Sequence, residues 1–168
     1  MAAAMRSRRV FRSARARTLA GRSAGAFRTG IAFSIDRALI YAFMRQESGF
    51  RAGAKSHAGA HGLMQVMPKT ASFIEKDSSY EEHGKARLLA PRHNMALGQK
   101  YLGHLLDDDA VRGNLFMLAA AYNAGPGTLR RWLKTVKFDD DPLLFIESIP
   151  SRETRIFVER VVANFWIY

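Results

Sequence analysis

Apolar residues recur at helical spacing through nearly all of residues 31–168, with no alternating run of the kind a half-buried strand needs and no internal repeat. Ile35, Leu39 and Phe43 follow one another at steps of four, Ile40 and Met44 flank them, and Glu47 continues the series. Ser34 is the predicted N-cap of this first helix and Gly49 its stop. Residues 51–67 break the period and carry Gly53, Gly59 and Gly62, which predicts a loop or a small irregular β-turn element. Pro68 opens a short helix bearing Ala71, Phe73 and Ile74, and the polar residues 77–85 read as a loop.

A longer helix is expected over residues 91–106, with Met95, Gly98, Leu102 and Leu105 on one face. Another, over residues 114–123, aligns Leu115, Leu118, Ala119 and Tyr122, and the glycines around Pro126 separate it from a shorter helix with Leu129, Trp132 and Leu133. Residues 139–142 read as a turn. Ser151 then caps a last helix ending near Trp166, striped by Phe157, Val161 and Phe165. The fold class this pattern predicts is all-α, with at most a small irregular β element.

Composition changes the picture only at one end. Length, 48% hydrophobic and 24% charged residues suit one globular domain, and the absence of cysteine excludes disulfides and thiolate metal sites. The net charge of +11 is uneven: residues 1–30 hold eight Arg and no acid, leaving only +3 for residues 31–168. A basic stretch can bind nucleic acid through counterion release. Without a matching domain charge, residues 1–30 read instead as a solvated, disordered tail, with no nucleic-acid partner expected. No apolar run of about 7–15 residues follows its basic start, as a secretory leader requires, although its Arg, Ser and Ala content resembles an organelle transit peptide. Nothing approaches the roughly 18–20 apolar residues of a membrane-spanning helix.

Candidate chemistry centres on Glu47. An acid on an apolar stripe faces the core or a cleft, and in the last turn of a helix it meets the negative end of the dipole. Both disfavour the carboxylate and raise its pKa, which is what protonating a glycosidic oxygen near neutral pH requires. The bland alternative is an acid that snorkels at a helix end or pairs with Arg45 or Arg51. Gln65 offers a donor and acceptors suited to sugar hydroxyl and acetamido groups, and Met64 and Met67 offer adaptable apolar contact or core filling. The five histidines show no metal-ligand spacing, and neither acidic run, residues 107–109 or 139–141, fits a calcium loop. No metal and no cofactor are expected.

Residues 45–71, RQESGFRAGAKSHAGAHGLMQVMPKTA, resemble the signature of the soluble lytic transglycosylases, the SLT domain with a lysozyme-like fold. AAYNAGPGTLRRWL, residues 120–133, resembles that family's second motif, and the run from Ile149 through Glu153 to Val158 its third. Pro91, Asn94, Gly98 and Tyr101 fit the linking helix. The resemblance implies Glu47 as the catalytic acid and base. It implies Ser56, Gln65 and Met67 as groove contacts, Tyr122 as the tyrosine facing the catalytic carboxyl, Asn123 beside it and Glu153 as a groove carboxylate. Two of these have ordinary explanations too: Tyr122 as a core tyrosine bonded to backbone, Glu153 as a first-turn acid favoured by the helix dipole. His57 stands where the family commonly has Pro, and His61 beside the groove glycine.

What the resemblance implies for function is cleavage of the β-1,4 bond between N-acetylmuramic acid and N-acetylglucosamine in peptidoglycan, leaving 1,6-anhydromuramoyl ends. The alternatives are a muramidase that adds water and a non-catalytic glycan-binding module. The substrate implies the periplasm or cell envelope, with the chain a monomer or part of a longer envelope protein.

Overall fold

The computed structural model describes residues 34–168; the expected basic tail, residues 1–30, lies outside the described residues. Nine helices follow one another among them, with two isolated antiparallel bridges, Lys55–His61 and His61–Val66, in place of any strand. The all-α expectation and its small irregular β element are both met.

Helix α1, Arg37–Ser48, starts two residues later than the Ser34 cap predicts. Asp36 is the cap, its carboxylate accepting the Ala38 N–H at 2.8 Å, while the Ser34 N–H donates to Gln99 Oε1 at 3.1 Å. The helix ends at Gly49, whose φ of +58° is the left-handed turn glycine makes cheaply. Leu39, Ile40, Ala42, Phe43 and Met44 are buried. Helix α2, Pro68–Glu75, begins at its proline, but only Ala71 is fully buried and Phe73 faces solvent.

The expected loop at residues 77–85 instead holds two single-turn helices, α3 (Ser79–Glu82) and α4 (Lys85–Leu88), anchored by buried Tyr80 and Leu88. Four residues are too few to display a helical period, so tertiary anchoring decides them. Helix α5, Pro91–Leu106, has the predicted bounds. Asn114 caps α6, Leu115–Ala124, by accepting from the Phe116 and Met117 N–H groups. Helix α7, Pro126–Thr135, follows. The turn at residues 139–142 leads into an unpredicted seven-residue helix, α8 (Pro142–Ser148), capped by Asp141. Ser151 caps α9, Arg152–Ile167, as expected.

Helix α9 lies along α1 and α6, and α6 in turn touches α5, α7 and α8. The core is continuous across them, with Phe43, Leu118, Phe145 and Val158 all fully buried. The Phe43 and Phe157 rings meet at 6.0 Å between α1 and α9. No described helix is long and apolar enough to cross a membrane.

Residues 54–67 lack regular structure yet are largely buried from Ala60 to Val66, so their backbone groups need outside partners. Asn94 on α5 supplies two and ties them to α4: Oδ1 accepts the Met64 N–H at 2.7 Å, and Nδ2 donates to the His61 carbonyl at 2.7 Å and to that of Leu88, at the end of α4, at 2.8 Å. Two glycines make room. A Cβ on Gly98 would meet Met64 Sδ at 2.7 Å, and one on Gly62 (φ +80°) would meet Asn94 Nδ2 and the Leu88 carbonyl at 2.5 Å. Asn94→Ala should therefore cost roughly 3 kcal/mol, because one buried donor and two acceptors lose their partner together. Urea denaturation checks this; a loss under about 1 kcal/mol would mean the loop is held by other means.

Candidate active site

Glu47 is the penultimate residue of α1 and is half-buried. Its carboxyl makes no hydrogen bond or ion pair among the described residues, and burial alone pushes its pKa from 4.5 up to about 8. Neither of the two arginines that could have neutralised it pairs with it. Arg45 donates to the Tyr168 hydroxyl at 3.1 Å, and Arg51 Nε donates to the Ser48 carbonyl at 3.0 Å. A carboxylic acid that stays protonated at neutral pH is a competent proton donor.

Tyr122 lies close enough that a charge on Glu47 pushes its pKa further up, beyond the effect of its own burial. Its hydroxyl does not bond the carboxyl, however. It donates to the Met64 carbonyl at 2.7 Å, the backbone partner of an ordinary core tyrosine, and so keeps only acceptor capacity toward the cleft. The Tyr122 ring sits between Phe43 at 4.7 Å and Tyr101 at 5.3 Å.

The remaining residues singled out from the sequence divide by what their polar atoms already do. Gln65 adopts φ +44°, and its Nε2 donates to the carbonyls of Gly62 at 2.8 Å and Ala54 at 3.2 Å. Only its Oε1 stays open, so it offers a ligand an acceptor. Asn123 Oδ1 accepts from the Thr154 hydroxyl at 2.7 Å, which leaves its NH2 as a donor. Ser56 Oγ accepts the Ala60 N–H at 3.0 Å and closes an exposed five-residue turn. Met67, the N-cap residue of α2, is 37% exposed. Glu153 is exposed in the first turn of α9 and forms no bond among the described residues, so no contact joins it to Glu47.

Three residues without a sequence-assigned role hold the site together. Ser48 is buried, and its hydroxyl lies 2.8 Å from the Leu63 carbonyl and 3.1 Å from that of Met44, joining the end of α1 to the loop. Asn94 braces the loop from the other side, and the Tyr101 ring packs on that of Tyr122. Asn94 and Tyr101 belong to the linking-helix pattern, which was their only signal. Ser48 sits inside the first motif, masked by the acid before it. Of the two unusual histidines, His57 is exposed, while His61 is buried with Nδ1 2.8 Å from the Gly59 carbonyl. No group of three potential metal ligands occurs among the described residues.

The state of Glu47 has a consequence for stability. Between pH 4.5 and about 8 the unfolded chain has released this proton and the folded chain has not. The unfolded state therefore binds fewer protons, and Glu47 lowers stability progressively as pH rises through that window, then no further. Glu47→Gln removes the penalty. It should stabilise the fold at pH 8 by a few kcal/mol, on the order of 3, and by little at pH 4.5. Thermal unfolding of both proteins across this range is the measurement; a pH-independent difference would contradict an isolated, protonated Glu47.

Comparison with known proteins agrees with this fold. The sequence pattern of the Transglycosylase SLT domain family matches residues 26–145. The soluble lytic murein transglycosylase of Salmonella typhimurium is 40% identical over 130 residues, covering 77% of this chain and 20% of that protein. Its counterpart in Escherichia coli K12 is 39% identical over the same length and shares. Among solved structures, an inactive Glu-to-Gln mutant of the lytic transglycosylase Slt from Pseudomonas aeruginosa superimposes with a TM-score of 0.70 at 34% identity, covering 94% of this chain and 23% of that one. The 70 kDa soluble lytic transglycosylase in complex with bulgecin A gives 0.69 at 37% identity, over 80% and 22%. The chain spans about a fifth of the length of these curated relatives. With a family match over most of its length and a helical fold shared with solved members, the chain belongs to the transglycosylase SLT domain family.

Proposed function

We propose that residues 31–168 form a lytic transglycosylase domain acting on peptidoglycan, with Glu47 as its catalytic acid and then base. The observation that carries this is the solitary, protonated carboxyl: burial is the one cause of its raised pKa, and no charged neighbour contributes. The two-carboxylate hydrolytic template adds a second carboxyl roughly 5–9.5 Å away, whereas burial is the one cause of the raised Glu47 pKa and no carboxylate bonds to it among the described residues. A single acid suits a reaction in which the substrate supplies its own nucleophile.

In that reaction the Glu47 proton passes to the oxygen linking N-acetylmuramic acid to N-acetylglucosamine. The bond from the anomeric carbon to that oxygen breaks, and the leaving sugar departs with a hydroxyl. The substrate's acetamido group stabilises the positive charge left behind. Glu47, now ionised, removes the proton of the muramoyl C6 hydroxyl, whose oxygen bonds the anomeric carbon. The ring closes as a 1,6-anhydro end, Glu47 regains its proton and no water is consumed.

Gln65 Oε1 and the Asn123 NH2 are assigned as an acceptor and a donor for the glycan strand, Met67 as an apolar contact, and Ser56 and Glu153 as outer groove residues. Tyr122 orders the loop beside the acid. The relatives' names refer to murein, which supports the cell envelope as the place of action.

Mass spectrometry of digested sacculi tests the reading: anhydromuramoyl products are expected, and Glu47→Gln should reduce their release at least a thousandfold. Hydrated reducing ends alone would make the protein a muramidase, and binding without release a glycan-binding module. Because the acid must be protonated in the free protein, kcat/KM should hold steady below pH 8 and fall above it. A profile falling from pH 5 would exclude this state of Glu47.

A further inference from the structure

Helix α5 presents Asn94, Gly98 and Tyr101 at positions i, i+4 and i+7, one stripe directed at the catalytic loop. The first two serve Met64: Asn94 binds its N–H, and Gly98 leaves room for its side chain. The third reaches the same place by another route, since the Tyr101 ring packs against that of Tyr122, whose hydroxyl holds the Met64 carbonyl. Tyr101 differs from the rest of the stripe in one respect. Its hydroxyl has no hydrogen-bond partner among the described residues, although the residue is half-buried and packed against the core.

Polar atoms in such surroundings normally have a partner. No buried side-chain polar atom in the described residues is left unsatisfied, so the Tyr101 hydroxyl is one that solvent, and hence a ligand, can reach. Burial also raises its pKa, so the group remains a neutral phenol with a proton to donate. The two adjoining tyrosines thus have different capacities. Tyr122 has committed its proton to backbone, while Tyr101 retains both a donor and an acceptor.

We propose that Tyr101 is a saccharide-binding residue of this cleft, its hydroxyl hydrogen-bonding a hydroxyl or acetamido group of the sugar that lies against Glu47 and Tyr122. The inference rests on the glycan-cleaving reading for its ligand class, but it concerns binding and can be tested without turnover. Removing the hydroxyl alone leaves the ring packing on Tyr122 intact, which separates this role from a structural one.

The test uses the full 168-residue chain carrying Glu47→Gln, titrated by calorimetry with tetra-N-acetylchitotetraose. Adding Tyr101→Phe should weaken binding about tenfold, with a melting temperature within about 1 °C of its parent, since no protein partner is lost. Tyr122→Phe in the same background should instead lower the melting temperature, because the Met64 carbonyl loses its donor. In the otherwise wild-type chain, Tyr101→Phe should lower kcat/KM on sacculi by a similar factor. Tetramer binding that is absent, or unchanged by Tyr101→Phe, overturns the proposal. Anhydro products with Tyr101-independent binding would reject this contact and leave the enzyme reading intact. Tyr101-dependent binding without any product would do the reverse.

Discussion

Met64 is the point through which the cleft is held. It belongs to a segment with no ladder of its own, and buried backbone outside helices and sheets is costly unless side chains complete it. Here its N–H goes to Asn94, its carbonyl receives Tyr122, and its fully buried side chain fills the notch left by Gly98. Three contacts from two helices fix one residue. Gln65 follows it directly, and Ser48, adjacent to Glu47, reaches the Leu63 carbonyl just before it. Acid and groove wall are therefore referenced to the same short stretch of chain.

That arrangement explains how an unpaired acid survives inside the fold. A buried carboxyl usually acquires a cation or several donors, either of which would lower its pKa. None of the side-chain donors around it reaches Glu47: Arg45 donates to Tyr168, Arg51 to Ser48, Tyr122 to Met64 and Gln65 Nε2 to two carbonyls. The neighbourhood is polar in composition yet supplies nothing that would favour the anion. Tolerating it is a cost to the fold accepted for chemistry, as strained or desolvated functional sites commonly are.

Much of this was legible in the chain. Helices with two or more turns of apolar period, with Asn114, Ser151, Pro68 or Gly49 at their ends, appear within a residue or two of expectation, because capping and burial point the same way. What failed was short or locally ambiguous: α3 and α4, read as a loop, α8, which was not predicted, and the first cap, where Asp36 displaced Ser34. Phe73 belongs to an apolar pattern but faces solvent, since one eight-residue helix buries only the face touching α3 and α5. At the site, the stripe through Phe43 and Glu47 gave the location of the acid and the direction of its pKa. Which residue would bond Tyr122, and that Gln65 would spend its amide on backbone, depends on loop geometry that no periodicity encodes. Tyr101 looked like one more helix-face residue, because an unpartnered hydroxyl is a property of three-dimensional surroundings.

The pairing of α1 with α9 joins the first and last described helices. On a ribosome the acid-bearing helix is made long before its partner, and Phe43 has no Phe157 to pack against until more than a hundred further residues are complete. Until then the apolar face of α1 lacks its main helical neighbour. The packing that seats the helix of Glu47 is thus completed only at the end of synthesis, when the last described helix closes over the first.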